Sequence, residues 1–132
     1  MPDIAMGALV ESGRVLLARR SSHRQVHPNL WSLPGGHAEH DEDAETAMRR
    51  ELMEEIDVAP ERWRLVGTFV SRDRTETPAT FHVYHIDKWH GSPRLVGGEH
   101  TELKWFTAAA IGCKADLAPP QLGEMLGRLV IG

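Results

Sequence analysis

The segment Asp43–Ile56, DAETAMRRELMEEI, constrains this chain more than any other. Asp43 has the chemistry of a helix N-cap, and Ala44, Ala47, Met48, Leu52 and Ile56 recur at helical spacing. That pattern predicts a helix whose apolar stripe lies on another layer of the fold. The same helix carries Glu51, Glu54 and Glu55 at i, i+3 and i+4. At about 100° per residue these three share one stripe. Like charges so placed repel, and solvent, Arg49 and Arg50, or a bound cation can offset the repulsion. Oxygen-only ligands suit Mg2+, Mn2+ or Ca2+ and not zinc. A solvated acidic face gives the same pattern, and for a Glu-Glu pair alone it is the commoner case.

The rest of the chain supplies what this helix packs on. Ile4–Val10 and Arg14–Arg20 predict a hairpin across Glu11-Ser12-Gly13, followed by a polar loop from Ser21 to Leu30. Trp31-Ser32-Leu33 is a short extended piece closed by the turn residues Pro34-Gly35-Gly36. Trp63–Ser71 and Thr80–Trp89 predict two strands separated by the charged loop Arg72–Thr77. Gly91–Gly98 is turn-rich, and Leu103–Phe106 is a short strand. Pro119 and Pro120 open a last helix with Leu122, Met125, Leu126, Leu129 and Val130 on one face. Strands and helices without strict alternation predict an α/β (α+β) class with a mixed sheet between helices. With 132 residues, no repeat and no linker, a single domain spanning 1–132 is expected.

The residues flanking the helix carry a resemblance. Glycines at 35 and 36 let the backbone approach a ligand closely. The segment Gly36-x5-Glu42-x7-Arg50-Glu51-Leu52-x-Glu54-Glu55-x-Asp57-Val58 resembles the Nudix box, G-x5-E-x7-R-E-U-x-E-E-x-G-U, where U is a bulky aliphatic residue. Eight of its nine specified positions match, over residues 36–58. So long a pattern is far more specific than a lone Gly-rich loop. The exception is Asp57, where the family usually has a left-handed Gly closing the helix. Asp tolerates that conformation better than most residues, so its replacement by Gly is expected to stabilise by roughly 0.5–1 kcal/mol and to spare the chemistry.

The resemblance implies an α/β/α sandwich and a Mg2+-dependent pyrophosphohydrolase, with Mn2+ able to substitute. It implies that Glu51, Glu54, Glu55 and the Gly35 carbonyl hold metal, that Arg50 orients the box glutamates, and that Glu42 supports the site from the loop side. The general base differs among members; Glu51 is the choice here. An acid outside the box often adds a base or ligand. Glu99 and Glu102 precede Leu103, and Glu102 is the candidate, although a solvent-exposed acid reads the same way.

Phosphate or base contacts are expected from Arg19, Arg20, Arg24 and Trp31, each of which has an ordinary surface or core reading as well. Histidine pairs His23/His27, His37/His40 and His82/His85 raise a zinc site, but His82 and His85 point to opposite faces of an extended strand. His37 and His40, just before the helix, are placed to meet substrate.

Substrate class follows by elimination. The region after the box is Ser71-Arg72-Asp73, without the proline of ADP-ribose-type relatives. The only tyrosine, Tyr84, does not sit where dinucleoside-polyphosphate types place one, and Leu16–Gly36 fits a coenzyme-A pattern poorly. A MutT-type nucleoside-triphosphate hydrolase remains, acting on a small nucleotide, with damaged or non-standard nucleotides among the candidates. The alternative is a non-catalytic nucleotide-binding or sensor module, against which the intact glutamates argue. A net charge of −4 disfavours long nucleic acid. The single Cys113, the absence of a secretory pattern at the N-terminus and the lack of an apolar run near the ~20 residues that span a bilayer fit a cytoplasmic protein.

Overall fold

A computed structural model describes residues 1–20, 29–73, 76–98 and 100–131. The strands are β1 (Asp3–Glu11), β2 (Arg14–Arg20), β3 (Trp31–Ser32), β4 (Gly35–His37), β5 (Ala59–Arg72), β6 (Pro78–His90) and β7 (His100–Thr107). The helices are α1 (Ala44–Ile56), α2 (Ala108–Gly112) and α3 (Leu122–Ile131). The sheet runs β3-β2-β1-β6-β5, with β4 paired to β1 and β7 to β2. β1 and β6 are parallel and the other pairings antiparallel, so the sheet is mixed as expected.

Alternation along the strands builds two cores. Ala5 and Leu9 of β1, Leu16 of β2, and Tyr84 and Ile86 of β6 meet Ala47, Met48, Leu52 and Ile56 of α1. On the opposite face, Ile4, Met6, Val15, Leu17, Phe81 and Val83 meet Ile111 of α2 and Leu122 and Leu126 of α3. The result is helix–sheet–helix. Gly7 lets α1 lie close to the sheet: a Cβ there would stand 2.8 Å from Leu52 Cδ2 and 2.7 Å from Ile86 Cδ1.

The structure departs from the sequence reading in four places. Gly35 and Gly36 do not close a turn; with His37 they form a strand against Ile4–Met6. Gly35 adopts φ +154°, and any Cβ on it would run into the Ala5 carbonyl oxygen, so only glycine pairs there. β5 begins at Ala59, four residues before the expected Trp63, because Pro60 and Arg62 pair with β6 through register shifts on an edge strand that needs no donor from the proline. α2 was not foreseen: Thr107 caps it, accepting from Ala110 N at 3.2 Å. α3 starts at Leu122, and the prolines instead form the turn before it, with a cis Ala118–Pro119 bond.

α1 begins and ends as its sequence requires. Asp43 accepts from Thr46 N at 2.8 Å, and that bond holds its carboxyl below the usual range. Asp57 sits in the left-handed region at φ 57° and ψ 44°, and its N–H reaches the Leu52 and Met53 carbonyls. Its side chain accepts from Arg94 Nε at 3.0 Å. That bond revises the expectation for Asp57→Gly. Relief of left-handed strain, roughly 0.5–1 kcal/mol, is opposed by loss of an exposed ion pair worth about 0–1 kcal/mol. We expect stability within about 0.5 kcal/mol of wild type by urea unfolding, whereas a clear loss would show Arg94 to be the stronger term.

Candidate active site

Arg50 is the hub of the site. From α1 its Nε donates to Glu42 Oε2 at 2.8 Å and its Nη2 to Glu42 Oε1 at 2.9 Å, a bidentate pair. Nη1 donates to Glu51 Oε1 at 2.9 Å and reaches Glu54 Oε2 at 3.2 Å. Nη2 also donates to the His37 carbonyl at 3.1 Å, which joins the helix to β4. The guanidinium thus gathers Glu42, Glu51 and Glu54 around one cation. Glu42 also accepts from Glu39 N at 2.9 Å. The Arg50 guanidinium, and after it this backbone N–H, draw the Glu42 carboxyl down to about 2, so it stays ionised at working pH. Glu42 and its neighbours raise the Arg50 pKa in turn.

Glu55 lies on the inner side of the same helix and is buried at 7% exposure. Its Oε2 accepts from Gly35 N at 3.1 Å. Gly36 faces Glu51: a Cβ at 36 would stand 2.6 Å from the Glu51 carboxyl carbon. The two glycines therefore leave the space in which the helix carboxylates meet the strand.

This donor set suits a hard divalent cation. All side-chain donors are carboxylate oxygens, a Cβ would fill the cradle at Gly36, and Arg50 Nη1 already serves as a cation shared by Glu51 and Glu54. Among the described residues, no three His, Cys, Asp or Glu side chains are gathered tightly enough to hold a metal as they stand. Glu54 is 57% exposed, with Arg50 Nη1 at 3.2 Å.

An open cleft adjoins the carboxylates. Ile4, Met6, Leu33 and Phe81 make it apolar, Arg20 and Arg72 supply positive charge, His100 adds an imidazole, and Gly35, Gly36, His37 and Glu55 form the end nearest the helix. The other candidates fall in different places. Arg20 lines the cleft, whereas Arg19 donates to the Asn29 carbonyl and stands 3.8 Å from Glu102, its partner across the β2–β7 ladder. Trp31 is buried at 6% with its ring edge-on to Phe106, away from the cleft lining. His40 is exposed beside Asp41, and His82 accompanies Asp3 at 2.8 Å. Arg24, His23, His27 and Glu99 lie outside the described residues.

One pairing had no signal in the sequence. His37 Nε2 lies 3.0 Å from Asp73 Oδ2, and Asp73 is only 5% exposed. The two are 36 residues apart and meet only because β4 and the end of β5 border the same cleft.

Comparison with known proteins agrees with this geometry. The NUDIX domain profile matches residues 1–129. The CTP pyrophosphohydrolase of Escherichia coli is 30% identical over 108 residues, covering 80% of this chain and 75% of that protein. The 8-oxo-dGTP diphosphatase of Escherichia coli is 27% identical over 128 residues, covering 96% of this chain and 95% of that protein. This chain spans only 25% of the length of some other curated relatives. The crystal structure of a MutT NUDIX hydrolase from Burkholderia pseudomallei superposes with a TM-score of 0.80 at 28% identity, covering 98% of this chain and 95% of that one. Box, sandwich and near full-length similarity agree, and the chain belongs to the Nudix family of phosphoanhydride hydrolases, in its MutT-type branch.

Proposed function

We propose that this chain, as one Nudix domain over residues 1–132, is a Mg2+-dependent pyrophosphohydrolase of the cytoplasm. Its substrate is a nucleoside triphosphate or another small nucleoside-diphosphate-linked molecule, with damaged or non-standard nucleotides in the candidate set. The observation that carries this reading is the Arg50-centred carboxylate cluster at the end of an apolar cleft bordered by Arg20, Arg72 and His100. Two relatives bear the names 8-oxo-dGTP diphosphatase and CTP pyrophosphohydrolase, which supports the triphosphate class. The family generally uses divalent metal ions.

Glu51, Glu54, Glu55 and the Gly35 carbonyl are the groups that would hold Mg2+, or Mn2+ in its place. When bound, the cation supplies charge neutralisation at the phosphates and a more acidic water. Glu51 Oε1 is held by Arg50, which leaves Oε2 to take the proton of the attacking water. The deprotonated water oxygen bonds to phosphorus as the P–O bond to the bridging oxygen breaks, and the leaving phosphate or pyrophosphate group departs with that electron pair. Glu42 holds Arg50 in place through two bonds and so fixes Glu51 indirectly. The apolar cleft receives the nucleoside, and Arg20 and Arg72 are placed to meet phosphate oxygens.

The test is release of phosphate or pyrophosphate across a panel of standard and oxidised nucleotides, with Mg2+ and with excess EDTA. Cleavage of at least one nucleotide with Mg2+, abolished by EDTA, is the expected result. Tight nucleotide binding without cleavage would favour the sensor reading.

A further inference from the structure

We propose that His37, held by Asp73, is a substrate-positioning residue that ties the end of β5 to β4 and so shapes the cleft where it passes into the carboxylate cluster. This rests on the nucleotide-hydrolase reading above and adds a residue to it. A carboxylate accepts, so the Nε2 of His37 carries the hydrogen and donates to Asp73 Oδ2 at 3.0 Å. Asp73 is fixed in turn: its Oδ1 accepts from Thr77 N at 3.0 Å, and its own N–H donates to the Thr77 carbonyl at 2.8 Å. Asp73 thereby pairs with Thr77 just before β6 and is joined to β4 by the His37 imidazole. The neighbouring Arg72 lines the cleft, with Nη1 donating to the Glu76 carbonyl at 2.8 Å.

The other end of His37 meets the chemistry. Its carbonyl accepts from Arg50 Nη2 at 3.1 Å, and its strand neighbour Gly36 abuts Glu51. His37 therefore stands where the cleft passes into the carboxylate cluster. A nucleotide with its base among Ile4, Met6 and Phe81 and its phosphates at the glutamates must cross this point. A ring oriented by a buried carboxylate gives up little freedom when it meets substrate, which is how a supporting partner sharpens a contact.

The test compares His37→Ala with His37→Gln, whose amide nitrogen reaches the position of Nε2 and keeps a donor for Asp73. Steady-state kinetics on the best nucleotide should show KM about tenfold higher for His37→Ala, with kcat falling by a smaller factor. His37→Gln should restore KM to within about threefold of wild type. Binding of the matching nucleoside monophosphate in EDTA, followed by calorimetry, should weaken in the same order. The proposal is overturned if His37→Ala lowers kcat with KM and monophosphate binding unchanged. It is equally overturned if Gln behaves as Ala while both melt as wild type does, or if wild type binds no monophosphate. Wild type that binds the monophosphate, loses affinity in His37→Ala and hydrolyses nothing with Mg2+ would leave the positioning role of His37 standing and remove the hydrolase reading.

Discussion

Glu54→Gln is expected to lower Mg2+-dependent turnover at least about 100-fold, roughly 3 kcal/mol of transition-state stabilisation. The substitution keeps size and hydrogen-bonding capacity and removes one negative charge from the cluster. If Glu54 holds the cation, the metal is bound less tightly and the water becomes less acidic, and both effects act as charge develops in the transition state. Folding should be spared, because Glu54 is 57% exposed and its contact to Arg50 is an i,i+4 surface pair at 3.2 Å. Such pairs contribute about 0.3–0.5 kcal/mol, and removing one like charge offsets part of that. Glu51→Gln should lose as much or more, since Glu51 is only 16% exposed and its carboxylate also faces Arg50 at 2.9 Å. The melting temperature should rise with added Mg2+ in wild type and rise less in either variant, as expected when a ligand binds only the native state. Glu45→Gln and Glu61→Gln, exposed and outside the site, are the controls. Equal cleavage by Glu54→Gln and wild type would remove this stripe as the catalytic centre while leaving the fold intact.

Arg50→Lys should fall nearly as far, about 100-fold in turnover, although the charge is kept. The guanidinium serves Glu42 twice, and Glu51, Glu54 and the His37 carbonyl as well, from three nitrogens in one plane. A lysine has one nitrogen on a flexible stem and cannot reproduce that fork. Glu51 would lose its fixed orientation and Glu42 its bidentate partner. Stability should fall too, with a definite pH dependence. In wild type the Glu42 carboxyl is lowered from 4.5 to about 2, so its contribution is full above 4.5 and is lost as pH falls toward 2. Without the fork that contribution disappears. The melting-temperature gap between wild type and Arg50→Lys should therefore be widest near neutral pH and narrow as pH drops through that window. A gap constant down to acid pH would mean that Arg50 stabilises through packing alone.

Much of this protein was legible in the chain because its signals are local. The limits of α1 followed from apolar spacing and from Asp43 and Asp57 at its ends, and the structure places them there, Asp57 in the left-handed conformation. Glu51, Glu54 and Glu55 share a stripe because helical pitch alone decides it. The hairpin of β1 and β2 followed from a turn between two apolar runs. Where the sequence reading went astray, long-range partners decided the outcome. Gly35 and Gly36 look like turn residues until Gly35 is seen to lie against the Ala5 carbonyl of β1 and Gly36 against the Glu51 carboxylate, each too close for a Cβ. The strand expected from Trp63 begins at Ala59, because β5 is an edge that accommodates Pro60.

The division follows how each feature is encoded. Helix ends, strand alternation and the box spacing depend on residues within a few positions of one another, so the sequence by itself determined the family fold and the carboxylate stripe. The sharing of Arg50 between Glu42 and the helix glutamates, the separation of Arg20 from Arg19 at the cleft, and the burial of Trp31 against Phe106 depend on how strands register across the sheet. The His37–Asp73 pair depends on it most of all, because 36 residues separate its members and no pattern in either segment points to the other. Contacts of this kind form only when burial of the two cores brings distant segments together, and so only the tertiary structure decided them.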